Sequence, residues 1–146
     1  MKKQTAQDLE VFLNPYPDRD YEIHMECPEF TCLCPRTGQP DFAHIDIHYV
    51  PDHECIELKS LKIYKDSYRD SVVSYERLCN VVYEDLMSVY QPIRMRLMMT
   101  VRPRGGISSC LTIDSDWKIR GGHENFNDWV HNTDRFGFEV HGTVRV

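Results

Sequence analysis

A cysteine and an aspartate that could act together lie on either side of a predicted turn. Cys34 ends an apolar run, and the proline-rich and glycine-containing segment 35–40 predicts a tight loop before Asp41. A thiolate at the end of a strand is open to a ligand and could attack a polarised multiple bond. A carboxylic acid across the loop could protonate the atom that gains charge. The pair therefore predicts covalent catalysis, and the alternative is a turn beside a buried thiol, the usual setting of a free cysteine.

Two further groups of charged residues could bind a phosphorylated ligand. Lys59 and Lys62 are three residues apart, so they share one face of a predicted helix, and its N-terminus would also favour an anion. Glu57 just before them could accept hydrogen bonds from a nitrogen heterocycle. Arg104 and Gly105 belong to a turn with two arginines and two glycines, which could approach a phosphate. The alternatives are a solvated helix face and an ordinary hairpin turn.

One row of residues has ligand types that suit a metal. His44, Asp46 and His48 alternate along a predicted strand and so point to one face. The favoured interpretation is the polar outer face of a half-buried strand. The six cysteines form no pair of C-x-x-C motifs, so a structural zinc site is poorly supported. We expect no metal.

Composition limits the class of protein. The chain has 146 residues, of which 41% are hydrophobic, as expected for one globular domain. Its formal net charge of -6 argues against direct binding of nucleic acid, which needs excess cation. The sequence has neither a secretory leader nor an apolar run long enough to span a membrane. We therefore expect a cytoplasmic protein with reduced cysteines and no contact with a membrane.

Hydrophobic periodicity predicts an α+β fold. Alternation of apolar and polar residues predicts four strands: 23–34, 43–49, 93–101 and 107–113. Apolar spacings of three and four predict two helices, 61–68 and 75–89, the second ended by Pro92. The order is β-β-α-α-β-β, an antiparallel sheet with both helices on one face.

The two ends of the chain are less regular. We interpret residues 1–20 as an N-terminal arm and residues 21–146 as a single domain. Within that domain, 114–146 form a variable C-terminal segment whose alternation at 136–140 predicts one more strand.

Three segments together resemble one enzyme family. Residues 27–31 through Asp41 and Phe42 resemble the active-site segment of the 7-cyano-7-deazaguanine reductases. The run 57–64, Glu-Leu-Lys-Ser-Leu-Lys-Ile-Tyr, resembles that family's diagnostic motif, and 103–107 resembles its late glycine turn. The segments occur in the family's order over about residues 18–107, as in its short single-domain form.

This resemblance implies a fold and a reaction. The fold would be the tunnelling fold, assembled into homo-oligomers, pentamers or decamers, with active sites between subunits. The reaction would be the NADPH-dependent reduction of the nitrile of 7-cyano-7-deazaguanine to the amine of 7-aminomethyl-7-deazaguanine, in queuosine biosynthesis for tRNA modification. Cys34 would form a thioimide with the nitrile, and Asp41 would donate protons.

The resemblance also implies binding residues. Substrate would contact Ile56, Glu57, Leu58, Tyr75 and Glu76. NADPH would contact Leu58, Lys59, Lys62, Arg104 and Gly105, in a site without the Rossmann glycine pattern. The family has histidine where this chain has Tyr75, and a tyrosine can form hydrogen bonds but is not cationic near neutral pH.

Three alternatives remain open on the sequence. An amidinotransferase relative would add ammonia to the same nitrile, but it should lack the lysine-rich run 57–64. A metal-dependent, cyclohydrolase-like enzyme on the same fold would use cysteine and histidine ligands. A purine- or pterin-binding module would have no need of both Cys34 and Asp41.

Overall fold

The computed structural model of the chain describes residues 2–116. After a 3₁₀ turn at Ala6–Asp8, the elements in chain order are β1 (Val11–Leu13), β2 (Ile23–Leu33), β3 (Pro40–Val50), β4 (Glu54–Ile56), α1 (Leu58–Asp66), α2 (Tyr75–Tyr90), β5 (Arg94–Arg104) and β6 (Ile107–Asp114). The predicted order of four long strands and two helices is confirmed, whereas β1 and β4 were not expected. The strand expected at 136–140 lies outside the described residues. Neither α1 nor α2 is long and apolar enough to cross a bilayer.

The four long strands form one antiparallel sheet in the order β2-β3-β5-β6, and β1 pairs with β4 in a second, two-stranded sheet. The β2–β3 register places Cys32 opposite Asp41. The register shifts between Cys27 and Phe30, and again between Val101 and Arg104. Each shift contains a proline, which lacks the N–H that a regular ladder requires.

One face of the sheet carries the hydrophobic core. Alternate residues of β3 and β5 are buried there: Ala43, Ile45, Ile47, Tyr49, Met95, Leu97, Met99 and Val101. The helices contribute further members of the same cluster: Leu61, Tyr64, Leu78, Val82 and Leu86. The helices therefore cover one face, as the alternation predicted. Tyr64 also donates a 2.6 Å hydrogen bond to Asp85, which joins α1 to α2.

The opposite face of β3 is not the solvent-exposed polar face that we expected. Asp46 is 0% and His48 8% exposed. His24 Nε2 lies 2.8 Å from Asp46 Oδ1, and His48 Nδ1 lies 2.7 Å from Glu22 Oε1. Alternation identified the side chains that share this face, but it could not reveal that they are buried in contact with one another.

Candidate active site

A closed loop presents Cys34 just beyond the end of β2. The Gly38 N–H donates to the Cys34 carbonyl at 2.8 Å, and the Cys34 N–H donates to the Gln39 carbonyl at 2.9 Å. Gly38 has φ of 70°, which a residue without a side chain adopts most readily. These contacts hold Cys34, which is half-buried, at the tip of the β2–β3 hairpin.

The environment of Cys34 favours its thiolate. Hydrogen bonds from the Thr37 hydroxyl, from the backbone N–H groups of Thr37 and Arg36, and from Arg104 lower the pKa of Cys34 to about 7. In contrast, burial and the nearby Asp41 raise the pKa of Cys32 to about 11. Since the thiolate is the nucleophilic form, Cys34 is the reactive member of this pair. Neither forms a disulfide.

Asp41 and Arg104 form an ion pair beside this loop. Asp41 is 3% exposed, and the Thr31 hydroxyl donates to its carbonyl oxygen at 2.8 Å. The Arg104 Nη1 contacts Asp41 Oδ1, and its Nη2 lies 3.3 Å from Thr37 Oγ1. The sequence associated Arg104 with NADPH, whereas within this chain its guanidinium reaches the expected proton donor.

Tyr75 begins α2 on the same side of the molecule. A bridge between Leu33 and Val72 brings the segment before α2 against the end of β2. Burial, followed by the nearby Asp41, raises the pKa of the Tyr75 hydroxyl, so it keeps its proton and can donate a hydrogen bond. Within residues 2–116 this buried hydroxyl has no hydrogen-bond partner of good geometry. The neighbouring Glu76 is exposed.

Glu57 caps the N-terminus of α1 with its own side chain. Its carboxylate accepts hydrogen bonds from the backbone N–H of Lys59 at 2.9 Å and of Ser60 at 2.7 Å. These two donors lower the pKa of Glu57, as expected for an N-cap carboxylate. In this conformation Glu57 occupies two of the N-terminal amides, so phosphate binding by the helix N-terminus itself stays a prediction. The exposed side chains of Lys59 and Lys62 remain available to an anion.

A cavity of about 650 Å³ opens beside this cap. Its lining residues are Gln4, Gln7, Asp8, Glu10, Glu57, Lys59, Ser60 and Ile63. Three carboxylates and two amides suit the N–H donors of a heterocycle better than they suit a phosphate. The four lining residues before β1 were missed by the sequence analysis, because no periodicity or motif connects them with Glu57.

The predicted substrate residues on either side of Glu57, Ile56 and Leu58, differ in their exposure. Ile56 is 2% exposed and belongs to the hydrophobic core, and its N–H donates to the Tyr49 hydroxyl at 3.1 Å. Its side chain therefore faces away from a ligand, and only its main chain could contact one. Leu58 is 63% exposed.

The predicted residues thus form two groups. The nucleophile group comprises Cys34, Thr37, Asp41, Tyr75 and Arg104, and the cap group comprises Glu57, Leu58, Lys59 and Lys62. No hydrogen bond or ion pair joins the two groups within residues 2–116.

Similarity to a solved structure defines the class of fold. The crystal structure of the archaeosine synthase QueF-Like in the apo form matches with a TM-score of 0.60 at 17% identity. The match covers 64% of this chain and 92% of that chain. At this identity the match supports the fold alone, which is an α+β tunnelling fold.

Sequence comparisons define the family on that fold. Residues 40–119 match the family model described as QueF-like protein. The NADPH-dependent 7-cyano-7-deazaguanine reductase of Magnetococcus marinus is 54% identical over 106 residues, 73% of this chain and 83% of the relative. The enzyme of that name from Nitrosococcus oceani is 52% identical over 121 residues, 83% of this chain and 92% of the relative. The chain belongs to the QueF family.

Proposed function

We propose that this chain is an NADPH-dependent nitrile reductase that converts 7-cyano-7-deazaguanine to 7-aminomethyl-7-deazaguanine in queuosine biosynthesis. Relatives more than half identical over most of the chain carry the name of this reductase. The observation that carries the proposal is the placement of Cys34 at the tip of the β2–β3 hairpin, where the Thr37 hydroxyl and nearby backbone N–H groups lower its pKa to about 7. A merely structural thiol would not need that environment.

Cys34 and Asp41 perform the covalent step. The Cys34 thiolate attacks the nitrile carbon, and Asp41, once it has taken up a proton, passes that proton to the nitrile nitrogen, which produces a thioimide. This addition converts an inert triple bond into a C=N bond that accepts hydride. NADPH supplies two hydrides per turnover. With one further proton these convert the thioimide to the amine, and the Cys34–carbon bond breaks so that the free thiolate returns.

Two members of the cap group, Glu57 and Leu58, recognise the substrate together with Glu76 and Tyr75. The ionised Glu57 retains lone pairs beyond the two that accept from α1, so it can accept from the N–H groups of the heterocycle. Exposed Glu76 offers a second carboxylate, and Leu58 offers an apolar face. Tyr75 is positioned to donate a hydrogen bond near Asp41.

The cations of α1 fit NADPH. Lys59 borders the cavity, and Lys62 is exposed on the same helix, so both ammonium groups can reach phosphates. Gly105 lies in the β5–β6 turn with a positive φ of 59°, and its main chain is open to a ligand. Arg104 can serve NADPH with the donors that Asp41 and Thr37 leave free.

We also propose a homo-oligomer, pentameric or decameric, in the cytosol. The nucleophile group and the cap group share no polar contact within the described part of one chain, and an interface between copies would bring them together. Exposed apolar side chains support this arrangement, because an interface between copies would remove their apolar surface from water. They include Leu13 at 79%, Leu58 at 63%, Val72 at 63% and Ile107 at 77% exposure.

An absorbance experiment tests the proposal. Purified protein is mixed with 7-cyano-7-deazaguanine, and NADPH is added afterwards. We expect a new near-ultraviolet band from the thioimide before NADPH is added, and then oxidation of NADPH. Cys34→Ala should give neither, whereas Cys110→Ala, which alters an exposed cysteine outside the nucleophile group, should give both. A band without NADPH oxidation would instead indicate an amidinotransferase.

A further inference from the structure

The guanidinium of Arg104 contacts two members of the nucleophile group and influences a third. It contacts the Asp41 carboxylate with Nη1 and the Thr37 hydroxyl with Nη2 at 3.3 Å. The interaction with the nearby Cys34 side chain is the main reason why the pKa of Arg104 is raised. One planar guanidinium therefore interacts with both the nucleophile and the proton donor.

We propose that Arg104 is a positioning residue for covalent catalysis: it holds Asp41, Thr37 and Cys34 in one arrangement and stabilises the Cys34 thiolate before the nitrile binds. This role rests on the proposed function and deepens it. It differs from the binding of NADPH, which the resemblance assigned to Arg104, because it requires no cofactor.

Thr37 transmits part of this effect. Its hydroxyl oxygen faces the Arg104 Nη2 at 3.3 Å and the Gln39 N–H at 3.3 Å. With two donors on the oxygen, the hydroxyl is free to donate its own hydrogen to an acceptor such as the Cys34 sulfur. That hydrogen bond is the largest contribution to the lowered pKa of Cys34. Arg104 thus acts on the sulfur both directly and through the orientation of Thr37.

Asp41 fixes the position of the guanidinium. Asp41 is buried in β3, whereas the Arg104 side chain at the end of β5 is 41% exposed. A planar guanidinium that donates to a fixed carboxylate loses much of its rotational freedom, so its remaining donors keep their direction toward Thr37 and Cys34. A lysine ammonium lacks this planar set of donors and could not hold both contacts in one plane.

Alkylation of Cys34 tests the proposal without substrate or NADPH. The rate of reaction with iodoacetamide is measured from about pH 5.5 to about pH 10, a range that spans the titration of cysteine thiols. Peptide mass spectrometry gives the rate for each cysteine separately. The variants are Arg104→Met and Thr37→Val. The matched control is Arg102→Met, since Arg102 lies two residues away on the same strand, 5.7 Å above the Phe42 ring.

We expect the wild-type rate to reach half its maximum near pH 7, because the pKa of Cys34 is lowered to about 7. In Arg104→Met the midpoint should rise by about 0.5 to 1 pH unit, and in Thr37→Val by at least as much. Arg102→Met should match the wild type. An unchanged midpoint in Arg104→Met would overturn the proposal, and a raised KM for NADPH alone would then assign Arg104 to the cofactor.

Two readouts keep the outcome interpretable. Cys32 is buried, so it should stay unreactive in every folded variant. If Cys32 becomes reactive in Arg104→Met, the substitution has disturbed the fold. The neutral polar variant Arg104→Gln then tests the proposal by the midpoint of its Cys34 alkylation profile. Failure of the proposed nitrile reduction would leave the alkylation profile untouched, so the two hypotheses can fail separately.

Discussion

Two Arg–Asp ion pairs, each with its arginine on β5, have opposite environments. Arg104, at the end of β5, contacts Asp41, and the two side chains are 41% and 3% exposed. Arg96, near the start of β5, lies 2.9 Å from Asp114 of β6, and those side chains are 4% and 0% exposed. Arg94 donates to the same Asp114 at 2.8 Å and 3.2 Å. The first pair opens toward a reactive thiol, and the second is enclosed by the sheet.

The difference separates a role in chemistry from a role in stability. The Asp41–Arg104 pair joins a buried carboxylate to a guanidinium that is 41% exposed, so water screens the pair in part, and ion pairs that water screens contribute about 0–1 kcal/mol. Removal of one partner from a buried pair costs about 3–5 kcal/mol. Asp41 and Arg104 are therefore expected to matter for the reaction, and Asp114 and Arg96 for folding.

Asp41→Asn should separate chemistry from stability most strongly. Nitrile reduction should fall by about 10²–10⁴, since the variant cannot transfer a proton to nitrogen. The free energy of unfolding should change by less than about 1 kcal/mol, because Asn keeps the size and the partner is partly exposed. Single-turnover rates and urea unfolding measure the two effects. A variant that reduces the nitrile at the wild-type rate would remove Asp41 from proton transfer.

Asp114→Asn should show the reverse pattern. The free energy of unfolding should fall by about 3–5 kcal/mol, because a carboxylate that two guanidiniums contact is neutralised inside the sheet. The rate per folded molecule should stay within about twofold of wild type, an effect below about 0.5 kcal/mol. Urea unfolding at fixed protein concentration checks the first value. Equal losses of stability in Asp114→Asn and Asp41→Asn would contradict the comparison.

Elements with strong periodicity were predictable from the sequence. Apolar spacings of three and four over 75–89 predicted α2, which runs to Tyr90. Alternation over 43–49 predicted most of β3. The three-residue strands β1 and β4 were not predictable, because each is too short to show a period and depends on the pairing of Val11 with Ile56.

The nucleophile group was predictable only in part. The loop between Cys34 and Asp41 places them together by local geometry, which turn residues reveal. The contact between Arg104 and Asp41 joins residues 63 apart. It depends on the β3–β5 register, in which Ala43 lies opposite Val101, and no local pattern specifies that register.

Lys59 belongs to neither ion pair, and its substitution tests where NADPH binds. Lys59→Ala should raise the KM for NADPH about tenfold, since a charge-assisted hydrogen bond to phosphate is lost. Its effect on the affinity for the nitrile should be smaller, because Glu57 and not Lys59 accepts from the heterocycle. Steady-state kinetics with each substrate varied in turn gives both values. A larger effect on the nitrile than on NADPH would place the cofactor elsewhere.

The smallest effect is expected from Tyr75, which lies near Asp41 of the first pair. Tyr75→Phe removes a hydroxyl that is buried without a partner of good geometry in residues 2–116. Removing an unsatisfied buried group stabilises a protein or leaves its stability unchanged, so the free energy of unfolding should not decrease. If the hydroxyl donates to the bound substrate or its reduced form, turnover should still fall by about two- to tenfold, the value of one neutral hydrogen bond. A loss of stability together with unchanged turnover would make Tyr75 a packing residue, whereas a loss of turnover alone would place its hydroxyl at the reacting group, where the family has histidine.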